Sequence, residues 1–136
     1  MAPFSPLGIT PMSVSTQDQS FSIERHGEIA IVVPSPKVEE MHEALIEQAA
    51  KMVVSSLKEN PPEGIIIDLT QVNYVGSVFV SFLLRCYARA KLQGSEFVLA
   101  GPSEPARELF QILGLESTWA IYETRKEALA AMTGSD

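Results

Sequence analysis

Few side chains in this sequence carry the chemistry of an active centre. His26 stands beside Gly27-Glu28 and His42 among Glu39, Glu40 and Glu43. Both read as solvated imidazoles, and neither has a second ligand at metal-binding spacing. Cys86 is the only cysteine. That excludes an intrachain disulfide and a multi-cysteine zinc site, and its place between Arg85 and Tyr87 reads as a small core residue. Asp68 closes the aliphatic run Ile65-Ile66-Ile67, where it could act as an acid or cap the following loop. No GxxxxGK[ST] loop, HExxH, GxSxG elbow or GxGxxG follows a strand, so no nucleophile, base and oxyanion donor come together. The expectation is a protein without catalytic residues, metal or cofactor. Ser77 is different. It follows Gly76 at the expected start of a helix, where a serine caps an amide or, phosphorylated, places an anion at the positive end of the helix dipole.

The elements that must position these residues can be read along the chain. Residues 1–19, with Pro3, Pro6 and Pro11, show no periodicity and read as a flexible arm before a domain over 20–136. Phe21 to His26 alternates and, after Gly27-Glu28, leads into Ile29-Ala30-Ile31-Val32-Val33, which predicts a hairpin ended by Pro34 and Pro36. A helix is predicted over Glu39–Lys58, its core face formed by Val38, Met41, Leu45, Ala49, Met52, Val53 and Leu57. Asn60-Pro61-Pro62 stops it, and Ile65–Leu69 reads as a strand covered on both faces. A second helix is predicted over Ser77–Leu92 with Gly94 as its left-handed cap, then a strand at Phe97–Ala100. A third helix begins at Ser103 to Ala106 and ends at Gly114. A short edge strand follows at Trp119–Tyr122, and a last helix is capped by Thr124 with Glu127 completing the box. Strands alternating with helices after a hairpin give an α/β fold: a mixed, mostly parallel four- to five-stranded sheet with about four helices. Partners of such sheets meet the loops at the carboxyl ends of the strands, which here means residues 70–77.

Composition narrows the function. Apolar residues make up 46% and charged residues 20% of 136, a globular mixture that excludes disorder of the whole chain. A net charge of −7 argues against binding nucleic acid or an anionic membrane and favours a basic partner surface. The apolar stretch Val72–Leu84 is interrupted by Asn73, Gly76, Ser77 and Ser81, too short and polar to enter a bilayer. The first residues lack a basic start and an apolar run, so a cytoplasmic location is expected.

From Ile65 to Met132 the chain resembles the STAS domain of anti-sigma factor antagonists, bacterial proteins of signal transduction and transcription regulation. The resemblance covers roughly 20–132. It is carried by Ile67-Asp68-Leu69 with Val72 and Val75, by Leu83-Leu84, by Gly94, and by Leu109 to Leu115 ahead of Ile121. It implies a STAS-like fold and a regulatory protein-binding module that engages an anti-sigma factor of the serine-kinase type. Family members commonly begin this helix with Asp-Ser-Ser/Thr-Gly, the first serine being phosphorylated by the partner kinase. Ser77 falls at that position, with Gly76, Val78 and Phe79 in place of the other three. The implied partner surface comprises Thr70, Tyr74, Gly76, Ser77, Val78, Phe79 and Ser81, with Ser35 and Ser103 nearby. Val78 or Phe79 would serve as apolar anchors, with core packing the other reading of Phe79. The alternative is a non-switching STAS subunit of a signalling scaffold or of a phospholipid-transport ABC complex. Whether the chain forms a homodimer is left open.

Overall fold

The computed structural model describes residues 13–16 and 19–134. Its centre is one sheet of six strands: β1 (Ser13–Ser15), β2 (Phe21–His26), β3 (Ile29–Pro34), β4 (Gly64–Asp68), β5 (Glu96–Ala100) and β6 (Ala120–Tyr122). They lie side by side in chain order. The pairs β1–β2 and β2–β3 are antiparallel, and β3–β4, β4–β5 and β5–β6 are parallel. Among the described residues four α-helices complete the fold: α1 (Glu43–Glu59), α2 (Ser77–Gln93), α3 (Glu104–Ile112) and α4 (Arg125–Thr133). The mixed, mostly parallel α/β class expected from the sequence is what is found.

The alternation of side chains along each strand sends them to two cores. Ala30, Val32, Ile65, Ile67, Phe97 and Leu99 meet Ala49, Val53 and Leu57 of α1, Phe82, Leu83 and Cys86 of α2, and Phe110 of α3. The opposite residues Ile29, Ile31, Ile66 and Val98 pack under α4 through Ala128, Leu129 and Met132. The central strands β3 and β4 are buried on both faces, which explains their unbroken aliphatic composition. Both outermost strands have three residues, which leaves little unpaired edge for other chains.

Two expectations are corrected. Residues 13–15, assigned to the arm, pair with Ser22–Glu24 as an edge strand. The turn that returns the chain is held by Thr16, whose hydroxyl accepts from the Phe21 amide at 3.1 Å. Residues 1–12 and 17–18, also assigned to the arm, lie outside the described residues. The first helix also starts later than expected. Ser35 caps a 3-10 turn over Pro36–Glu40, and Met41 is extended before α1 begins after His42. The buried face of α1 runs through Ile46, Ala49, Ala50, Val53 and Leu57. Leu45 and Met52, expected in the core, lie one position off that face and keep 47% and 51% of their surface in water.

Candidate functional site

At the carboxyl ends of β4 and β5 the chain turns through residues 69–76 into α2. Leu69, Val72 and Val75 are buried and pin this loop to the core. Between and after them, Thr70, Gln71, Asn73, Tyr74, Gly76 and Ser77 are exposed. Asp68 sets the first turn: one carboxylate oxygen accepts from the Thr70 amide at 3.0 Å and from its hydroxyl at 2.7 Å. The backbone of Asn73 is held from both sides. Its amide donates to Glu39 at 3.0 Å, and its carbonyl accepts from the Ser103 hydroxyl at 2.7 Å. Three loops that follow successive strands are thus tied together by side chain–backbone bonds.

Gly76 is the N-cap of α2, in extended backbone, and no side chain caps this helix. Ser77 is its first residue and is exposed. The cap therefore falls one residue earlier than the serine-cap reading. No acidic residue occupies the first turn of α2, so its amide end presents a partial positive charge to solvent. A Cβ at Gly76 would meet nothing within 4 Å; neither space nor backbone demands glycine there.

Beside Ser77 a groove of about 260 Å³ separates the start of α2 from the 3-10 turn and the start of α1. Val38, Met41, Ile46 and Phe79 line it together with Val78 and Tyr74, and Glu39 and Glu43 are the charged residues on it. Tyr74, with 69% of its surface in water, is the most exposed aromatic beside it. The groove joins Tyr74, Gly76, Ser77, Val78 and Phe79; Ser81 is exposed one turn further along α2.

Thr70 belongs elsewhere. It lines a separate open pocket with Gly101, Pro102, Arg107 and Glu123, its methyl lying against Gly101. That residue has φ +67°, and a Cβ would collide with Thr70, so glycine is required on both counts. Of the two readings of Phe79, partner anchor and core, its burial is that of a core residue: it retains 4% exposure, its ring 6.3 Å from Phe21 and 5.4 Å from Phe82. With Ser77 at the first helical position, Phe79 falls on the side that faces the sheet. Ser35 and Ser103 both serve as caps. The groove's far wall, Glu39, Met41, Glu43 and Ile46, was not among the sequence candidates. Its only sequence signal is that it follows β3, the parallel neighbour of β4.

The remaining reactive groups stay apart from this edge. Burial pushes the Cys86 thiol up to about 12 despite nearby Arg85, which keeps it protonated and inert. His26 is exposed, 3.6 Å from Glu24, and His42 precedes α1 without a side-chain cap bond. Asp68 binds Arg125 at 2.8 Å through its second oxygen, and Arg125 binds Glu24 at 2.8 Å. Burial alone would raise the Asp68 pKa, but the bonds from Thr70 and Arg125 outweigh it and hold the carboxyl below its ordinary value. Among the described residues no group of three or more side chains could hold a metal ion, and no helix is long and apolar enough to cross a membrane.

A family model for the STAS domain matches residues 22–128. The chain is 23% identical over 113 residues to the anti-sigma-F factor antagonist RsfB of Mycobacterium tuberculosis, covering 83% of this chain and 88% of that one. It is similar to the structure of an anti-sigma-factor antagonist (STAS) domain protein from Planctomyces limnophilus, with TM-score 0.72 and 27% identity over 83% of this chain and 97% of that one. An anti-sigma factor antagonist from Mycobacterium paratuberculosis gives TM-score 0.68 and 26% identity, over 87% and 97%. A family match running from β2 into α4, over a sheet and helices that superpose on solved members, means that the chain belongs to the STAS domain family.

Proposed function

We propose that this protein is a regulatory binding module acting as an anti-sigma factor antagonist: it engages an anti-sigma factor of the serine-kinase type through the start of α2, with Ser77 as the phosphorylated switch. The observation that carries this reading is the setting of Ser77. It is an exposed hydroxyl on the first residue of an uncapped helix, at the lip of a groove with apolar walls. Tyr74 and Val78 supply partly exposed apolar surface to bury against a partner, and the pinned loop beneath them keeps the ordering cost of binding low.

Phosphorylation would add about −1.5 to −2 charges at this point. The helix terminus favours an anion by about 0.3–1 kcal/mol, while Glu39 and Glu43 across the groove oppose it. Neither effect reaches the core, so the domain stays folded. A partner closing over the groove would have to desolvate the phosphate beside those two carboxylates, and binding weakens. A non-switching scaffold or transporter subunit is the second reading. It is favoured by Gly76 and Val78, which bring neither a carboxylate nor a second hydroxyl next to Ser77.

Pull-down and calorimetry with candidate anti-sigma kinases, with ATP and mass spectrometry of Ser77, separate the two. Ser77→Ala should bind and resist modification. Ser77→Asp should melt like wild type yet bind at least about tenfold more weakly, or about 1.4 kcal/mol. Wild-type affinity in Ser77→Asp would transfer the protein to the scaffold reading.

A further inference from the structure

The solvent face of α2 continues well beyond Ser77. Ser77, Ser81, Leu84, Ala88 and Leu92 follow one another at steps of three and four, which puts them along one side of the helix, and all five are exposed. Leu84 leaves 42% and Leu92 76% of its surface in water, while Phe79, Phe82, Leu83, Cys86 and Ala90 bury the opposite side. At 1.5 Å per residue the two leucines stand about 12 Å apart along the axis, the span of two turns of a partner helix.

The charges beside this stripe have one sign. Between Ser77 and Gln93 the helix carries Arg85, Arg89 and Lys91 and no Asp or Glu, in a chain of net charge −7. Ion pairs among the described residues involve Glu24 and Asp68 with Arg125 and His26; none uses a cation of α2. Arg89 Nε is buried without a hydrogen-bond partner, and the Lys91 ammonium lies 5.7 Å from the Tyr87 ring centroid. Three cations without carboxylate partners among the described residues flank an apolar stripe, in a chain whose other charged residues are mostly acidic.

We infer that this face of α2 docks an acidic amphipathic helix of a protein partner, its apolar side chains seated against Leu84, Ala88 and Leu92 and its carboxylates on Arg85, Arg89 and Lys91. Charge decides the occupant. A second copy presenting the same helix would bring cations against cations. An anionic bilayer would attract three cations but face the repulsion of the rest of a net-negative protein. An acidic amphipathic helix satisfies both the leucines and the cations, its apolar stripe against the leucines and its carboxylates on the cations. The residues involved lie about two to four turns beyond Ser77, so the inference stands without the switch.

A titration of the full-length protein followed by amide NMR shifts tests it. The probe is a synthetic 18-residue helical peptide with leucines on one face and glutamates beside them; a control carries lysines instead. The glutamate peptide should shift amides along 84–92, with affinity falling as salt rises from 50 to 300 mM. Arg85→Glu should weaken it at least tenfold, and so should Leu84→Ser/Leu92→Ser, with melting curves unchanged because these side chains are exposed. Equal binding of the lysine peptide overturns the inference, as does absence of shifts along 84–92. So does binding of phosphatidylglycerol vesicles through these residues in preference to the peptide, or concentration-dependent self-association by sedimentation that the same substitutions abolish.

Discussion

Within a few residues of each other, Asp68 and Ser77 occupy the same edge of the sheet, and their surroundings could hardly differ more. Asp68 has 5% of its side chain in water, and both its oxygens are engaged. Through Arg125 it ties the first residue of α4 to the end of β4, and Arg125 continues to Glu24 on β2. Ser77 is exposed, and the helix it begins has no side-chain cap. An acid at a strand's carboxyl end and a serine at a helix start are both candidates for function on sequence grounds. What separates them is how much of their hydrogen-bonding capacity the fold already uses. Asp68 holds the edge in shape, and Ser77 is presented by it.

Phe79 offers the largest test of this division, because it lies two residues from Ser77 and is assigned to the core. Phe79→Ala should cost about 3–5 kcal/mol in urea denaturation. An unchanged midpoint with lost partner binding would move Phe79 to the surface and blur the contrast. Asp68→Asn keeps the shape but removes the charge from the bonds with Thr70 and Arg125, and should cost about 1.5–3 kcal/mol. The folded pKa of Asp68 lies below its ordinary value. Its contribution is therefore present above an unfolded pKa of about 3.9 and is lost as pH falls through the lower folded value. The stability gap between wild type and Asp68→Asn should be flat from about pH 5 to 8 and should shrink below about pH 4. A gap that widens on acidification would show that the carboxylate is strained in the fold. The smallest effect belongs to Leu45→Asp, within about 0.5 kcal/mol by thermal melting, since Leu45 is exposed. A larger loss would return Leu45 to the core.

The parts of the fold legible in the sequence are those where composition and punctuation agree. Ile65–Leu69 and Phe97–Ala100 read as covered strands because they are buried on both faces. Thr124 caps its helix as expected, although Glu127 turns back to the Glu123 amide and not to that of the cap residue. The spacing locates the centre of the α1 face, Ala49, Val53 and Leu57, while Leu45 and Met52 lie at its margin, where apolar composition alone does not tell buried from exposed. β1 was missed because three residues carry too little alternation to register. At the site, the exposed loop and Ser77 could be located from the strand that precedes them. The phase of α2, and with it the burial of Phe79, turned on whether the cap was Gly76 or Ser77. Glu39 and Glu43 could not be found, because they reach the groove through the adjacency of two parallel strands, which no local pattern encodes.

The strand order also bears on how the chain reaches this state. Every strand pairs with its immediate predecessor, from β1 through β6. No late strand has to insert between two early ones, and each crossover closes only the loop formed by its own helix. Contact order stays low for a sheet with parallel pairs, and low contact order goes with fast folding. The sheet can grow in one direction as the chain emerges from the ribosome, each new strand adding to an edge already formed. β4, the strand that leads into the loop before Ser77, finds its template in a hairpin synthesised before it.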